Sequence, residues 1–277
     1  MSKTWLITGS SRGLGRAITE GVLDAGHNVV ATARSPDALR DLERRFGARI
    51  VAWRLDVTDP DSARDAVRVA LERFGRLDVV VNNAGYGNVA PIEDTTDEDF
   101  GAQIATNLVG VFNVTRAAIP AFRLQGSGHF LQISSVGGRF GAPGISAYQA
   151  SKWGVTGFSE ALATEVWPFG VKVTIVEPGA FRTDFADTSM TIPKIRADYD
   201  GTVGALGRTL RAGSGTEVGD PLRVASILLQ LVDMEAPPLR LLLGSDAVAI
   251  ADAADRAREK DDRHWRELSL TTDFPSS

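Results

Sequence analysis

The chain has 277 residues, a hydrophobic fraction of 43%, and 30 Lys and Arg against 35 Asp and Glu, which gives a net charge of -5. This length suits one large domain or two small ones, and the negative balance lacks the positive field that nucleic-acid binding requires. There are no cysteines, which excludes disulfides, thiolate nucleophiles, zinc-thiolate sites and iron-sulfur clusters. His27, His129 and His264 are too scattered in the sequence to indicate a metal site. We expect no bound metal and no nucleic-acid partner.

The amino-terminal sequence MSKTWLITGS has an apolar run too short for the hydrophobic core of a signal peptide. No later segment approaches the length of a membrane span. The sequence therefore predicts a cytoplasmic protein with no membrane partner.

Short apolar runs alternate with helical patterns along the chain. The candidate strands are TWLIT, NVVATA, RIVAWRL, LDVVVN, HFLQIS, VKVTIV and LRLLL. Buried runs separated by helix-length segments are typical of a parallel sheet with helices on both faces. In TDPDSARDAV, Asp59 and Pro60 are typical of a helix start. We predict a doubly wound α/β fold of about seven parallel strands in a single domain.

Two segments interrupt this alternation. Residues 184–219 lie between the sixth and seventh strand candidates and mix apolar residues with glycines. A connection of that length in a compact domain is typical of a lid or a binding loop. After the last strand, a charged segment predicts a helical extension that covers a surface or forms an interface. We therefore predict one domain over residues 1–245, which includes loop 184–219, and a helical extension over residues 246–277.

A glycine cluster, TGSSRGLGRAI, follows the first strand. Glycines let a backbone approach a pyrophosphate, and the N–H groups at a helix start hold its charge. The spacing is G-x3-G-x-G, and glycines also form ordinary turns, but the position after a first strand favours a dinucleotide site. The predicted cofactor contacts here are Gly9, Ser11, Arg12, Gly13, Leu14 and Gly15.

Polar residues follow the third and fourth strands. Asp56, in RLDVTD, either accepts a hydrogen bond from an adenine amino group or forms a turn. The amides of NNAG, which begins at Asn82, either bind a ligand or tie two loops together, and we favour the tie as their main role. The predicted cofactor contacts in these loops are Asp56, Val57, Asn83, Ala84 and Gly85.

The motifs TGSSRGLG, NNAG, YQASK and EPGAFRT, in this order, make the sequence strongly resemble the short-chain dehydrogenase/reductase family, over about residues 3–245. The resemblance implies a Rossmann-type catalytic domain, a nicotinamide cofactor, and a Tyr-Lys pair assisted by Ser and Asn. Tyr148 and Lys152 match the family's Y-x-x-x-K, and Ser135 stands at the usual distance before the tyrosine. Asn107, in ATNLVGVF, matches the helical asparagine whose local distortion, in the family, holds a water between the lysine and solvent.

The resemblance assigns a chemical role to each of these residues. Tyr148 would donate the proton in reduction and accept it in oxidation, Ser135 would fix the carbonyl oxygen, and Lys152 would lower the tyrosine pKa and hold the nicotinamide ribose. Because neighbouring strand residues point to opposite faces, only one of Ser134 and Ser135 is expected to face the site. From the residues alone, the serines could simply end a strand, Asn107 could be a cap, and Tyr148 could be a packed aromatic.

Further residues bear on which nicotinamide cofactor binds. In the family, the turn at Pro178 and Gly179 crosses the nicotinamide, and Thr183 binds its carboxamide. NAD-preferring sites usually place an acid at the end of the second strand, where this chain has Ala33. Arg34 follows it, and Arg12 lies in the glycine loop, so two guanidinium groups could meet a 2′-phosphate, although either alone could be a surface residue. The sequence therefore favours NADP(H) over NAD(H).

Candidate substrate-contacting residues follow these motifs and are mostly apolar, which favours a hydrophobic ketone, aldehyde or alcohol. They are Tyr86, Val89, Pro91, Ile92, Phe140, Pro143, Phe181, Phe185, Met190 and Ile192. GRFGAPG and EPGAFRT look most like the hydroxysteroid- and retinol-dehydrogenase-like branch of the family. Arg139 either binds a substrate carboxylate or braces a loop.

Two other functions are compatible with these motifs: a lyase or epimerase of the same fold, and a redox sensor that binds the cofactor without turnover. The sequence SKWGVTGFSEALATEV predicts a homodimer or homotetramer, because it places Trp153, Phe158, Leu162 and Val166 beside small residues, and the family commonly pairs through this helix. The charged C-terminal helix could cover that surface instead.

Overall fold

Seven strands form one parallel sheet in the computed structural model of the chain, which describes residues 2–185 and 189–274. The strands are β1 (Thr4–Ile7), β2 (Asn28–Ala33), β3 (Ile50–Arg54), β4 (Val79–Asn82), β5 (Gly128–Ile133), β6 (Val171–Pro178) and β7 (Arg240–Leu243). Their order in the sheet is β3-β2-β1-β4-β5-β6-β7, and each neighbouring pair is parallel. The predicted strands and the doubly wound fold are confirmed.

Helices cover both faces of the sheet. In the described residues they are α1 (Gly13–Asp24), α2 (Arg40–Phe46), α3 (Pro60–Phe74), α4 (Asp97–Ile104), α5 (Gly110–Gln125), α6 (Ser146–Val166), α7 (Ala205–Gly213), α8 (Pro221–Asp233) and α9 (Ser245–Leu270). Apolar residues of α1, α2 and α8 pack on one face, and those of α3, α5 and α6 pack on the other. The core is therefore divided into two layers by the sheet.

The side chains of β1 show why the fold has two core layers. Trp5 and Ile7 pack into one layer and Leu6 into the other, because successive strand residues point to opposite faces. All three are fully buried, and burial of each such side chain stabilises the fold by roughly 1.5 to 3 kcal/mol. A central strand buried on both faces thus explains the continuous apolar run that identified it in the sequence.

Helix α3 begins as its sequence predicts. The Asp59 side chain accepts a hydrogen bond from Asp61 N at 2.9 Å, and Pro60, which has no N–H to leave unpaired, occupies the first helical position. The same arrangement starts α8, where Asp220 accepts from Leu222 N at 2.9 Å. These caps fix where each helix leaves the sheet.

The strand order reverses between β1 and β4, which are neighbours in the sheet. In an open parallel sheet, this reversal leaves a crevice at the carboxyl ends of the strands, and ligands bind there. The loops after β1, β4, β5 and β6 meet at that edge, and they carry the glycine cluster, NNAG, the serines and the Pro-Gly turn.

The predicted loop 184–219 contains secondary structure of its own, a π-helical turn at Asp200–Gly204 followed by α7; residues 186–188 lie outside the described part. Its start pairs with the loop after β4, where Val89 N donates to Thr191 O at 2.9 Å. Arg196 and Tyr199 both bind the Glu93 carboxylate, the Tyr199 hydroxyl at 2.6 Å. Residues 191–199 of this segment are therefore attached to the loop after β4.

Helix α9 forms most of the predicted C-terminal extension, of which residues 275–277 lie outside the described part. Ala247 and Ala251 are buried against the body of the protein, whereas residues 255–274 are exposed. Within the described ranges, no helix combines the length and the apolar character needed to cross a membrane.

Candidate active site

A cavity of about 1240 Å³ opens at the carboxyl edge of the sheet. Every predicted site residue except Asn107 lines it. Those residues are Gly9, Ser11, Arg12, Gly13, Leu14, Gly15, Arg34, Asp56, Val57, Asn83, Ala84, Gly85, Ser135, Tyr148, Lys152, Pro178, Gly179 and Thr183. Residues that are far apart in the sequence are thus brought together at one place by the strand order.

The glycine loop between β1 and α1 has room for a phosphate group. Gly9 and Gly13 have φ of 70° and 56°, values that side chains disfavour, and a Cβ on Gly15 would overlap Gly9 O. No described side chain caps the start of α1, so this helix terminus suits an anion. A Cβ on Gly13 would lie 3.6 Å from Thr183 Cβ, so the loop after β6 faces the glycine loop across the cavity. The residues present fit a bound dinucleotide.

The amides after β4 tie loops together. The Asn82 side chain donates to Gln132 Oε1 at 2.8 Å, and the Asn83 side chain donates to Thr8 O at 2.9 Å. Thr8 Oγ1 in turn accepts from the backbone N–H groups of Asn83 and Ala84, each at 2.9 Å. These contacts are the structural tie that the sequence favours, and they leave the Ala84 and Gly85 backbone on the cavity surface.

Asp56 has its carboxylate fixed by its own loop. Oδ1 accepts from Thr58 Oγ1 at 2.7 Å and from Thr58 N at 3.0 Å. These hydrogen bonds, with a smaller contribution from Arg34, lower the pKa of Asp56 below its ordinary value. The residue is therefore an ionised acceptor in the cavity, close enough to Arg34 to feel its charge.

The two serines after β5 have different surroundings. The Ser134 hydroxyl donates to Lys152 O at 3.1 Å and contacts Thr156 Oγ1 at 3.1 Å, inside the protein. Ser135 Oγ accepts from Gly137 N at 3.0 Å. A Cβ on Gly137 would lie 3.3 Å from Ser135 Oγ and 3.4 Å from Tyr148 Cε1, so these two side chains border the same small space. Ser135 is the serine that faces Tyr148, and both serines contribute to the cavity lining.

Lys152 is buried and Tyr148 is partly buried, and the ionisation of each reflects this. Lys152 Nζ donates to Ile133 O at 2.8 Å and lies 5.7 Å from the centre of the tyrosine ring. Burial lowers the pKa of Lys152 to about 8. Burial also raises the pKa of Tyr148 above its ordinary value, and a hydrogen bond with Ser135 opposes this rise.

The expected lowering of the Tyr148 pKa by Lys152 is therefore not found in the protein chain alone. The physical reason is that burial penalises the charged form of both groups: it favours the neutral phenol and weakens the hold of Lys152 on its proton. Of the interactions acting on the phenol, only the one with Ser135 lowers its pKa.

Asn107 lies in a π-helical turn, Ala105–Val109, between α4 and α5. Its side-chain oxygen accepts from Tyr86 N at 3.0 Å, and its nitrogen donates to Tyr86 O at 2.8 Å and to Ser151 Oγ at 3.0 Å. The local distortion expected from the family is present, as π turns often are at functional sites. Asn107 does not line the cavity; it holds the loop after NNAG against α6.

Arg139 braces a loop and does not line the cavity. Its Nη2 and Nε donate to Glu177 Oε2 at 2.6 Å and 2.9 Å, and Glu177 is fully buried. This pairing raises the pKa of Arg139. The structure thus decides between the two roles that the sequence left open, in favour of the brace.

The residues that line the substrate end of the cavity are only partly those that the sequence predicted. Of the predicted wall residues, Tyr86, Phe140, Phe181, Phe185 and Met190 line it. Val89 is instead fully buried, Ile92 is 75% exposed, and Pro91, Pro143 and Ile192 are not part of the lining.

The sequence analysis missed wall residues contributed by two helices, Thr209 and Leu210 from α7 and Asp246 and Ile250 from α9. The amphipathic sequence ALGRTLRAG could have indicated α7. No local signal distinguishes Asp246 from other acids at a helix start.

Comparison with known proteins identifies the family. The model of the short chain dehydrogenase family matches residues 3–192. An oxidoreductase of Botryotinia fuckeliana, BOA17, is 51% identical over 98% of this chain and 100% of its own length. The 3-ketodihydrosphingosine reductase of Bacteroides thetaiotaomicron is 35% identical over 86% of this chain and 87% of its own.

Solved structures lead to the same family. A short-chain dehydrogenase from Streptomyces avermitilis is 40% identical, with a TM-score of 0.93 over 99% of this chain and 100% of its own. An alcohol dehydrogenase from Thermococcus sibiricus, complexed with 5-hydroxy-NADP, has a TM-score of 0.72 at 27% identity, over 88% and 96% of the two chains. A short-chain dehydrogenase/reductase from Burkholderia phymatum, in complex with NAD, has a TM-score of 0.81 at 25% identity, over 100% and 98%.

The chain belongs to the short-chain dehydrogenase family and is an oxidoreductase of that family. Its structural relatives bind nicotinamide dinucleotides of both kinds, phosphorylated and unphosphorylated.

Proposed function

We propose that this protein interconverts a carbonyl compound and an alcohol with NADP(H), and that Tyr148 is the acid and base. The observation that carries the proposal is the placement of Ser135, Tyr148 and Lys152 in one cavity with the glycine loop. Bound nicotinamide supplies or accepts the hydride. The chain contributes the groups that hold the substrate and move the proton.

In reduction, Tyr148 donates its phenolic proton to the substrate oxygen, which becomes the alcohol oxygen. The Ser135 hydroxyl donates a hydrogen bond to that oxygen and fixes its position before the transfer. Burial raises the pKa of Tyr148, so the phenol is protonated near neutral pH and ready to act as an acid. Buried Lys152, beside the ring, stabilises the phenolate that remains.

The preference for NADP(H) rests on the cavity end that holds Arg12 and Arg34. Ala33, at the end of β2, provides no carboxylate to bind a ribose 2′-hydroxyl or to repel a 2′-phosphate. Guanidinium groups suit phosphate oxygens because they present paired N–H donors. The adenine is assigned to Asp56 and Val57 on the same side.

The substrate is proposed to be a bulky apolar carbonyl compound or alcohol. The wall around Tyr148 carries Phe140, Phe185, Met190 and Leu210, and the Phe185 ring lies 5.6 Å from the Tyr148 ring. An apolar wall with a few polar groups at the reacting end favours a substrate whose only polar part there is its carbonyl or hydroxyl.

The test is a screen of ketones, aldehydes and alcohols of graded size, in which nicotinamide absorbance is followed with NADPH and NADP⁺. We expect turnover that increases with apolar bulk and consumes one reduced cofactor for each carbonyl reduced. Binding of NADPH without turnover of any compound would favour a redox sensor. Conversion without net cofactor consumption would favour a lyase or epimerase.

A further inference from the structure

The first turn of α9 holds the loop that follows β6. Asp246 Oδ2 accepts a hydrogen bond from Ala180 N at 2.7 Å. The carboxylate fills the space beside Gly179 and Gly244, where a Cβ would overlap it. Asp246 Oδ1 is buried and has no hydrogen-bond partner in the described part of the chain. Because Asp246 also lines the cavity, its carboxylate fixes a backbone turn at the edge of the reacting centre.

Farther along α9, two side chains hold the loop that follows β5. Asp255 Oδ2 accepts from Arg139 Nη1 at 3.3 Å, and Arg258 Nη2 donates to Arg139 O at 2.8 Å. The Arg258 guanidinium also lies 5.4 Å from the centre of the Trp153 ring of α6. Arg139 is close in sequence to Ser135. This part of α9 therefore contacts the loop that carries the serine.

A largely buried ion pair joins the loop after β5 to the end of β6, where the loop after β6 begins. Glu177 immediately precedes Pro178, and its carboxylate accepts two hydrogen bonds from the Arg139 guanidinium. Arg240 approaches the other carboxylate oxygen at 3.5 Å. A buried pair of this kind contributes little net stability compared with an apolar replacement, but its paired hydrogen bonds fix orientation. The residues of α9 that contact Arg139 therefore hold a side chain that already links the loop after β5 to the start of the loop after β6.

We propose that α9 is a positioning element that holds the serine loop, residues 135–141, and the proline loop, residues 178–183, at a fixed separation. Residues of both loops line the cavity in which hydride and proton transfer would occur. The expected effect of α9 on the catalytic rate rests on the proposed function. The expected effect of α9 on the positions of the two loops does not. Small displacements of reacting groups are costly, since about 1 Å can lower a rate by about 100-fold.

A merely structural α9 would behave differently. Suppose that α9 only covered the apolar surface at Ala247 and Ala251. Removal of its polar contacts would then lower the unfolding temperature of the protein and nothing else. The rate constant kcat of the molecules that remain folded would then be unchanged. Separating kcat from stability therefore distinguishes the two roles.

The first experiment compares Asp246→Ala with Asp246→Asn. Alanine removes the acceptor for Ala180 N, so we expect kcat to fall about tenfold while the Kd for NADPH changes less than about twofold. Asparagine keeps an acceptor oxygen and should recover most of kcat. All assays are run below the unfolding temperature of each variant, measured by circular dichroism. A kcat for Asp246→Ala within twofold of the unmodified protein, or no recovery with asparagine, would overturn the proposal.

The second experiment tests the coupling without turnover. Arg258→Met removes the hydrogen bond to Arg139 O but keeps an apolar stem beside Trp153. We expect faster hydrogen exchange in peptides that cover both the serine loop and the proline loop. Asp252→Asn is the control, because the ion pair that Asp252 makes in the described part of the chain is with Arg256 of α9 itself.

A change confined to α9 itself in Arg258→Met would contradict the positioning role. Hydrogen exchange is measured without substrate, so this experiment decides whether α9 holds both loops even if the protein turns over no compound. Absence of turnover would contradict the proposed function only.

Discussion

At the scale of single residues, the site is defined by which polar atoms are already used within the protein. The Ser134 hydroxyl and the Asn107 amide are occupied by backbone and side-chain partners. Ser135 and Tyr148 border the same small space in the cavity. Ser134 also lines the cavity, but its hydroxyl is used by Lys152 O and Thr156 Oγ1, so Ser135 is the serine proposed to act on the substrate.

We predict that Tyr148→Phe lowers kcat by at least about 100-fold, the usual contribution of a general acid or base. Only the hydroxyl oxygen is removed, so the ring still packs near Phe185 and the Kd for NADPH should stay close to that of the unmodified protein. The measurement pairs steady-state rates with a fluorescence titration of NADPH. A variant that keeps most of its activity would show that Tyr148 does not move the proton.

The pH dependence should follow Lys152. Its pKa is lowered to about 8 by burial, so its positive charge is present below pH 8 and lost as pH rises above that value. Without that charge the phenolate left by proton donation is less stable, and we predict that kcat/KM for carbonyl reduction falls above about pH 8. The profile is measured from pH 6 to pH 11 in buffers of constant ionic strength. A fall that begins only above about pH 10 would assign the transition to Tyr148 instead.

Arg34 should distinguish the two cofactors. A charged hydrogen bond to a 2′-phosphate is worth about 1.5 to 3 kcal/mol, so Arg34→Ala should weaken NADPH binding roughly 10- to 100-fold. NADH lacks that phosphate and should bind almost as before. Titration of both cofactors with both proteins gives the comparison, and Arg54→Ala, at the exposed end of β3, is a matched control. An equal loss for NADPH and NADH would contradict the assignment.

At the scale of elements, the sequence predicted regular structure well where its signal was local. Each strand was a short apolar run, and α3 had its cap and proline, because burial on both faces and helix starts leave local patterns. The substrate wall was predicted only in part. Val89 and Ile92 are close in sequence, but one is in the core and the other is at the surface, and only the packing of the loop on residues 189–192 separates them.

The contribution of α9 to the site could not be predicted either. Asp246 reaches Ala180 because α9 follows β7, the edge strand beside β6, and the sequence alone does not give that strand order. Likewise, the choice of role for Arg139 depends on Glu177, which lies on β6, far away in the sequence. Motifs within one segment could therefore be predicted from the sequence, and contacts between segments could not.

Strand β5 contains a histidine that should make stability depend on pH. His129 is buried, with Nε2 at 2.9 Å from Thr174 Oγ1, and burial lowers its pKa from 6.5 to about 3. Below pH 6.5 the unfolded chain therefore binds a proton that the folded protein does not. The contribution of His129 to the free energy of unfolding is therefore fully present above pH 6.5. It is lost as the pH falls, and the loss is about 2 kcal/mol at pH 5.

His129→Gln provides the test, because glutamine cannot take up that proton. Urea unfolding of both proteins at pH 8 and pH 5 gives the two free energies of unfolding. We expect the loss between these pH values to be smaller in the variant by about 2 kcal/mol. Equal losses would assign the acid sensitivity to other groups, such as His27, whose pKa is also lowered by burial.

At the scale of the whole molecule, the outer surface of α5 and α6 is the candidate interface between copies of the chain. Leu162 and Val166, which were predicted to lie on it, are buried in the core. Its exposed apolar residues are Val109, Phe112 and Trp153, next to Gly157, beside which there is open space. Small and apolar residues together permit the close approach of a second helix pair.

We expect a homodimer or homotetramer at micromolar concentration, measured by light scattering. Phe112→Glu should shift the mass toward that of the monomer, because it replaces an exposed aromatic ring with a carboxylate that would lose its hydration in the contact. Leu124→Glu is the control, since Leu124 is 86% exposed near the other end of α5. A monomeric mass for the unmodified protein would rule out this interface and would leave α9, whose Arg258 already lies over Trp153, as the cover of that surface.

The insertion between β6 and β7 has a consequence for how this protein could change over evolution. The groups proposed for proton transfer lie on α6 and in the loop after β5, whereas much of the apolar wall comes from Phe185 and residues 189–218, a separate stretch of chain. Mutations in that stretch can reshape the pocket while the strands and the acid-base groups keep their places. A new substrate would therefore be acquired by diversifying this one exchangeable segment, and the proton-transfer chemistry would be inherited intact.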